Sequence, residues 1–172
     1  MRFLRLSGKK HFRATLSARV CRGGVWRDLG IVAHPEEPNP ILRFLKRHIL
    51  GYHFATVLTQ VGEEWIVDKL DEAVQTKPDW LHWGTGSGTA SKSATGLFTP
   101  GSEARVQGTV SQPVADKLRV VGTLVADAAK TITNAGTFTA STGGTLVIFG
   151  DHPGQSLGAG DKIEYTGDLE AS

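Results

Sequence analysis

One cysteine in 172 residues, Cys21, leaves the chain no intramolecular disulfide framework and no cysteine-built zinc site. Long apolar runs are also missing. The basic start, Met1 to Lys10, lacks the hydrophobic stretch of a signal peptide, and no later stretch is long enough to span a membrane. The expectation is a chain made and kept in the cytosol unless a particle carries it out. Long helical patterns are scarce. Twenty-one glycines and threonine-rich alternating segments instead favour a mainly β protein, and 172 residues suffice to bury one substantial core.

Patterns that announce chemistry are absent as well. Gly84 to Ser93 is glycine-rich and contains Lys92-Ser93, but Ser91 stands where a Walker loop needs glycine, and a poor helix former follows. It reads as a long flexible surface loop. Gly86-Ser87-Gly88 lacks the spacing of a nucleophile elbow. His82 and His152 are the candidate metal or acid-base residues, yet each stands alone, so they read as a sheet residue and a turn residue. No catalytic residue, metal or cofactor is expected.

Net charge is +2 but uneven: residues 1–50 hold eleven Lys and Arg against three acids, and the remainder eight against fourteen. Such a split is either two differently solvated surfaces or a basic face for an acidic partner. Nucleic acid is not expected, because no stacking motif, zinc finger or recognition helix accompanies the charge.

In chain order, Phe12 to Val20 alternates as a strand with one basic face, and Gly23-Gly24 returns it as a hairpin. Three prolines between Pro35 and Pro40 form an elbow. Asn39, Pro40 and Gly51 then bracket a short helix, Pro40 to Leu50, with Phe44, Leu45 and Ile49 on one face and Arg43, Lys46 and Arg47 on the other. It reads as an ordinary surface helix or a partner-docking helix; it is short for a membrane anchor, and no membrane partner is expected. A second helix is expected over Gln60 to Val74, capped by Thr59, with Ile66, Val67 and Leu70 inward and Trp65 off the stripe.

From Trp80 on, short alternating segments dominate: Trp80 to Trp83, Val106 to Val110, three strands within Lys117 to Phe149, and Ile163 to Tyr165. Asp127 to Lys130 is expected to close one hairpin and Gly143-Gly144 another, with turns at Asp151 to Gly154 and Gly158 to Asp161. Ile132, Phe138, Leu146, Ile148 and Ile163 should share the core. The fold class expected is a mainly β antiparallel sandwich, jelly-roll or immunoglobulin-like, with an N-terminal hairpin and two short helices. Its regions would be 1–34, the elbow and helices 35–79, and the sandwich 80–172, in one folded unit.

Trp83-Gly84-Thr85-Gly86, Glu103 to Val106, Val120 to Thr123, Ile132 to Phe138, Gly143 to Leu146 and Ala159 to Ile163, together with Asp28 to Val32 and Trp65 to Leu70, resemble a β-rich family of tailed-bacteriophage virion proteins. The resemblance covers about two thirds of the chain and rests on turns and strand faces, with Pro35 to Phe54 longer than the family pattern. It implies a non-enzymatic virion protein, synthesised in the host cytoplasm, that decorates or cements the head. Its partner would be the major capsid protein or tail proteins. It would be a homo-oligomer, such as a trimer; from the charge split and the capped helix, docking is expected through Arg43, Phe44, Lys46 and Arg47. The alternatives are a tail-fibre or baseplate component, or a carbohydrate-binding sandwich using Trp26, Trp80 or Trp83 as a platform.

Overall fold

The computed structural model describes residues 12–29, 56–70 and 76–171. These form ten strands and one helix: β1 (Phe12–Arg22), β2 (Val25–Asp28), β3 (Thr56–Leu58), α1 (Gln60–Leu70), β4 (Trp80–Gly84), β5 (Val106–Gln107), β6 (Thr109–Val114), β7 (Lys117–Val125), β8 (Lys130–Phe138), β9 (Leu146–Leu157) and β10 (Lys162–Ala171). Two antiparallel five-stranded sheets result, ordered β2-β1-β10-β7-β6 and β3-β9-β8-β4-β5.

Alternation explains why the sheets face each other. Leu16 and Val20 of β1, Val120 and Leu124 of β7, and Ile163 and Tyr165 of β10 point from the first sheet into one cluster. Leu81 and Trp83 of β4 and Ile132 of β8 enter it from the second. Each large side chain removed from water contributes on the order of 1.5–3 kcal/mol, and this cluster holds six of the twelve largest fully buried ones among the described residues. The N-terminal hairpin belongs to the first sheet, since β1 pairs with β10 from Phe12↔Ala171 to Cys21↔Lys162.

Several connections differ from the sequence expectation. The segment Val106 to Val110 is two strands on different sheets, β5 beside β4 and β6 beside β7. The chain changes sheets at Gly108, where a Cβ would lie 2.6 Å from Leu81 Cδ1, 2.7 Å from Val120 Cγ2 and 2.8 Å from the Val121 carbonyl. Asp127 to Lys130 closes no hairpin either, because β7 lies in the first sheet and β8 in the second. That crossing is tied to the β9–β10 turn by Ala126 N–H to Asp161 O at 2.9 Å and Gly160 N–H to Ala126 O at 2.8 Å.

Asp151 to Gly154 is not a free turn but lies inside β9. Its register against β8 slips from Ile132↔Gln155 to Asn134↔Asp151. Pro153 can donate no ladder hydrogen bond, which suits it to such an irregularity. The slip also breaks the alternation of β8: Ile132 and Ala135, three apart, both enter the inter-sheet cluster, while Phe138 is turned to the outer face. All five expected core residues are buried, but Phe138 and Leu146 form a separate cluster with Ala90, Leu97 and Phe149.

What covers that outer face is the glycine-rich segment, and this corrects its reading as a flexible loop. Ala90 and Leu97 are buried, and Phe98 stands edge-on to Phe149 at 5.0 Å. Backbone bonds run from Gln60 N–H to Lys92 O, from Gly86 N–H to Phe98 O and from Gly101 N–H to Trp83 O. The glycines serve close approach, since a Cβ at Gly88 would sit 2.6 Å from the Phe98 ring.

Helix α1 starts where Thr59 caps it, its Oγ1 accepting from Gly62 N–H at 3.0 Å. Trp65 and Ile66 pack onto Ala14, Leu58, Val147 and Ile148. The expected inner stripe is shifted: Val67 is 63 % exposed, and Trp65 takes the inward place. Residues 71–75, the end of the expected helix, lie outside the described residues.

Candidate functional site

The expected docking residues Arg43, Phe44, Lys46 and Arg47, with their Pro40 to Leu50 helix, lie outside the described residues. Three other places gather polar or exposed side chains.

The first is a groove on the outer face of the second sheet, between the segment running into β5 and the β8–β9 turn. Its volume is about 470 Å³, and His82, Leu97, Arg105, Phe138, Ser141 and Thr142 are among its lining residues. Arg105 is held from two sides. Its Nη1 donates to Ala140 O at 2.7 Å and Gly143 O at 2.5 Å, and its guanidinium lies 3.5 Å from the Phe138 ring centroid. Burial lowers its pKa. On the adjoining strand, His82 Nε2–H donates to Glu103 O at 2.8 Å, leaving Nδ1 as an acceptor, and burial holds this imidazole below its ordinary pKa.

Glu103 joins the groove to the core. Its Oε2 accepts from Trp83 Nε1 at 2.9 Å, and its Oε1 accepts from Lys130 Nζ and from Asp127 N–H at 3.3 Å. Lys130 also meets Asp127 Oδ1 at 2.5 Å and donates to Ser102 Oγ at 3.1 Å. Burial pushes the Glu103 carboxyl up, but the hydrogen bonds from Lys130 and Trp83 outweigh it and the net shift is downward. These bonds are spent on one another, so the cluster braces the Trp83 region and leaves no poised acid or base.

The second place is His152, 6 % exposed and turned into the core. Its Nδ1–H donates to Pro153 O at 2.9 Å, which fixes the neutral tautomer, so Nε2 accepts from Tyr165 Oη at 2.9 Å. Burial lowers the histidine pKa and pushes the tyrosine pKa up, so both stay uncharged. This bond links β9 to β10 across the two sheets, a structural role for a residue the sequence placed in a turn.

The sign of the pH effect follows. Two histidines with folded pKa values below the unfolded value of about 6.5 contribute stability that is complete above that pH and is lost on acidification, because the unfolded chain then takes up protons that the fold refuses. A further loss follows as pH falls through the depressed carboxyls of Glu103 and Asp127. Urea midpoints should therefore drop between pH 7.5 and 5.5, and the drop should shrink in His152→Gln. A flat wild-type profile over that range contradicts the neutral His152–Tyr165 pairing.

The third place is the edge and outer face of the first sheet. Cross-strand ion pairs run over it: Arg19–Glu164 at 2.7 Å, Arg119–Asp168 at 2.7 Å and Lys117–Glu170 at 2.9 Å. At its rim the four residues of β2 are all exposed, with Val25 at 58 % and Trp26 at 40 %, and the Arg19 guanidinium lies 4.7 Å from the Trp26 ring. Of the three tryptophans expected as sugar platforms, Trp83 is fully buried, Trp80 is half-buried beneath the covering segment, and Trp26 shares a face with Arg19.

Among the described residues no three His, Cys, Asp or Glu side chains gather closely enough to hold a metal ion. No described helix is long and apolar enough to cross a membrane. No known protein family, curated protein or solved structure matches this chain. Neither Arg105 nor the hub role of Glu103 was foreseen. Their partners lie 20 to 38 residues away in sequence, so no local spacing could have signalled them.

Proposed function

We propose that this chain is a non-enzymatic structural protein of a tailed-bacteriophage virion, a decoration or cement protein that binds between capsid subunits and stabilises the head. The observation that carries the reading is the exposed strand β2 at the rim of the first sheet, which presents Val25 and Trp26 beside Arg19 and Arg27. Tryptophan and arginine dominate binding hot spots. Arg19 next to it is already paired with Glu164 on β10, which suits a rigid contact surface better than a reaction centre.

Size supports the same reading. The five strands of the first sheet have 11, 4, 10, 9 and 6 residues, so at about 3.3 Å per residue and about 4.8 Å between strands the outer face offers about 600 Å², against about 800 Å² per partner in a standard interface. The basic N-terminal region adds attraction to an acidic shell, and a protein that binds only the assembled shell stabilises it by mass action. A homo-oligomer, trimeric for example, would multiply the contact. The finer class of sandwich, jelly-roll or immunoglobulin-like, belongs to this proposal, as do residence in the virion and synthesis in the host cytoplasm.

Copies per particle, counted by quantitative mass spectrometry of purified virions, test it. A cement protein follows the symmetry of the shell and should number on the order of hundreds. A few to a few tens would replace this reading with a tail-fibre or baseplate one, and absence from virions would end both.

A further inference from the structure

The groove at Arg105 has a chemistry that the structural role does not use. Arg19 and Arg119 each grip a carboxylate with the same edge of the guanidinium, Nε to one oxygen and Nη2 to the other, at 2.7 to 3.1 Å. Among the described residues, Arg105 makes no such bond through that edge. Its Nη1 hydrogens go to Ala140 O and Gly143 O, and among the described residues no carboxylate meets its Nε or Nη2. Glu103, two residues before it, is taken by Lys130 and Trp83. The guanidinium is thus orientated in advance, stacked on Phe138 and, among the described residues, without a paired carboxylate at the wall of a solvent-open groove.

We propose that this groove is a binding site for a sugar acid, a ring bearing one carboxylate and several hydroxyls, with the carboxylate paired to the Nε/Nη2 edge of Arg105. A two-point salt link of this kind is the geometry guanidinium groups favour. The volume of about 470 Å³ falls within the usual range of small-ligand sites, roughly 300–1,000 Å³. Sugar hydroxyls find partners in Ser141 and Thr142, while Leu97 supplies an apolar wall. Neutral sugars lack the main attraction, because Arg105 already covers the Phe138 face on which a sugar ring would stack. A peptide carboxylate is less well served. Extended peptides are held by backbone bonds along a sheet edge, and β5, the edge strand here, has two residues.

The test is an NMR titration of the isotope-labelled full chain with glucuronate, N-acetylneuraminate, glucose, acetate and an acetylated tripeptide with a free C-terminus. At least one sugar acid should bind with Kd about 1 mM or tighter, shifting the Gly143 and Gly144 amides, and the other three probes should bind about tenfold more weakly or worse. Arg105→Gln should abolish binding. Thr142→Glu, on the exposed turn, should do so by offering the guanidinium an internal carboxylate, with an unchanged melting temperature that separates lost binding from lost fold. The proposal is overturned if neither sugar acid binds, if glucose, acetate or the peptide binds as tightly, or if Thr142→Glu binds like wild type. Capsid binding is a separate property, so either proposal can fail while the other holds.

Discussion

Phe138→Ala should destabilise the protein by about 3–5 kcal/mol, the cost of removing a buried aromatic side chain and leaving a cavity. Phe138 is 3 % exposed, packs with Leu97, Leu146 and Phe149, and carries the Arg105 guanidinium on its other side. For a domain of this size the melting temperature should fall by roughly 10 °C. Trp26→Ala is the control: it removes a larger side chain from an exposed edge, so its cost should stay below about 1 kcal/mol. An unchanged melting curve for Phe138→Ala would mean that the segment from Gly84 to Gly101 does not close over the second sheet.

That contrast separates what the sequence made legible from what it hid. Period-two alternation marked β1, β7, β10 and the first half of β8, because a strand buried on one face must alternate, while β4 read as a buried strand and is buried at four of its five residues. The glycine pair at Gly143-Gly144 marked the β8–β9 turn, and both residues do take positive φ there. Thr59 marked the start of α1. Alternation cannot say which sheet a strand joins, so the change of sheet at Gly108 and the crossing after β7 were hidden. Both depend on contacts between residues far apart, such as Gly108 against Leu81 and Val120. The register slip in β9 had a local cue, Pro153-Gly154, but the same dipeptide fits an ordinary turn.

The groove was hidden for the same reason. In the sequence Glu103 and Arg105 simply precede the Val106 to Val110 segment. Only the assembled fold gives the acid to Lys130 and Trp83 and leaves the base facing an open groove. Trp83 shows the converse: beside a glycine loop it suggested a ligand platform, yet its ring is sealed between the sheets and its single donor is spent on Glu103.

Binding to undecorated phage heads tests the central claim most directly. Purified wild-type protein, Trp26→Glu, and a triple variant carrying Arg43→Glu, Lys46→Glu and Arg47→Glu would each be added to heads at low and high salt, and bound protein measured after sedimentation. Wild type should saturate the heads at a stoichiometry set by the shell symmetry. Trp26→Glu should lose about 2 kcal/mol or more, roughly thirtyfold in affinity, as expected for a hot-spot tryptophan, while keeping its fold because the site is exposed. The triple variant should associate more slowly, with a weaker dependence on salt. Failure of the wild type to bind heads at any ionic strength, or equal binding by all three proteins, would contradict the account.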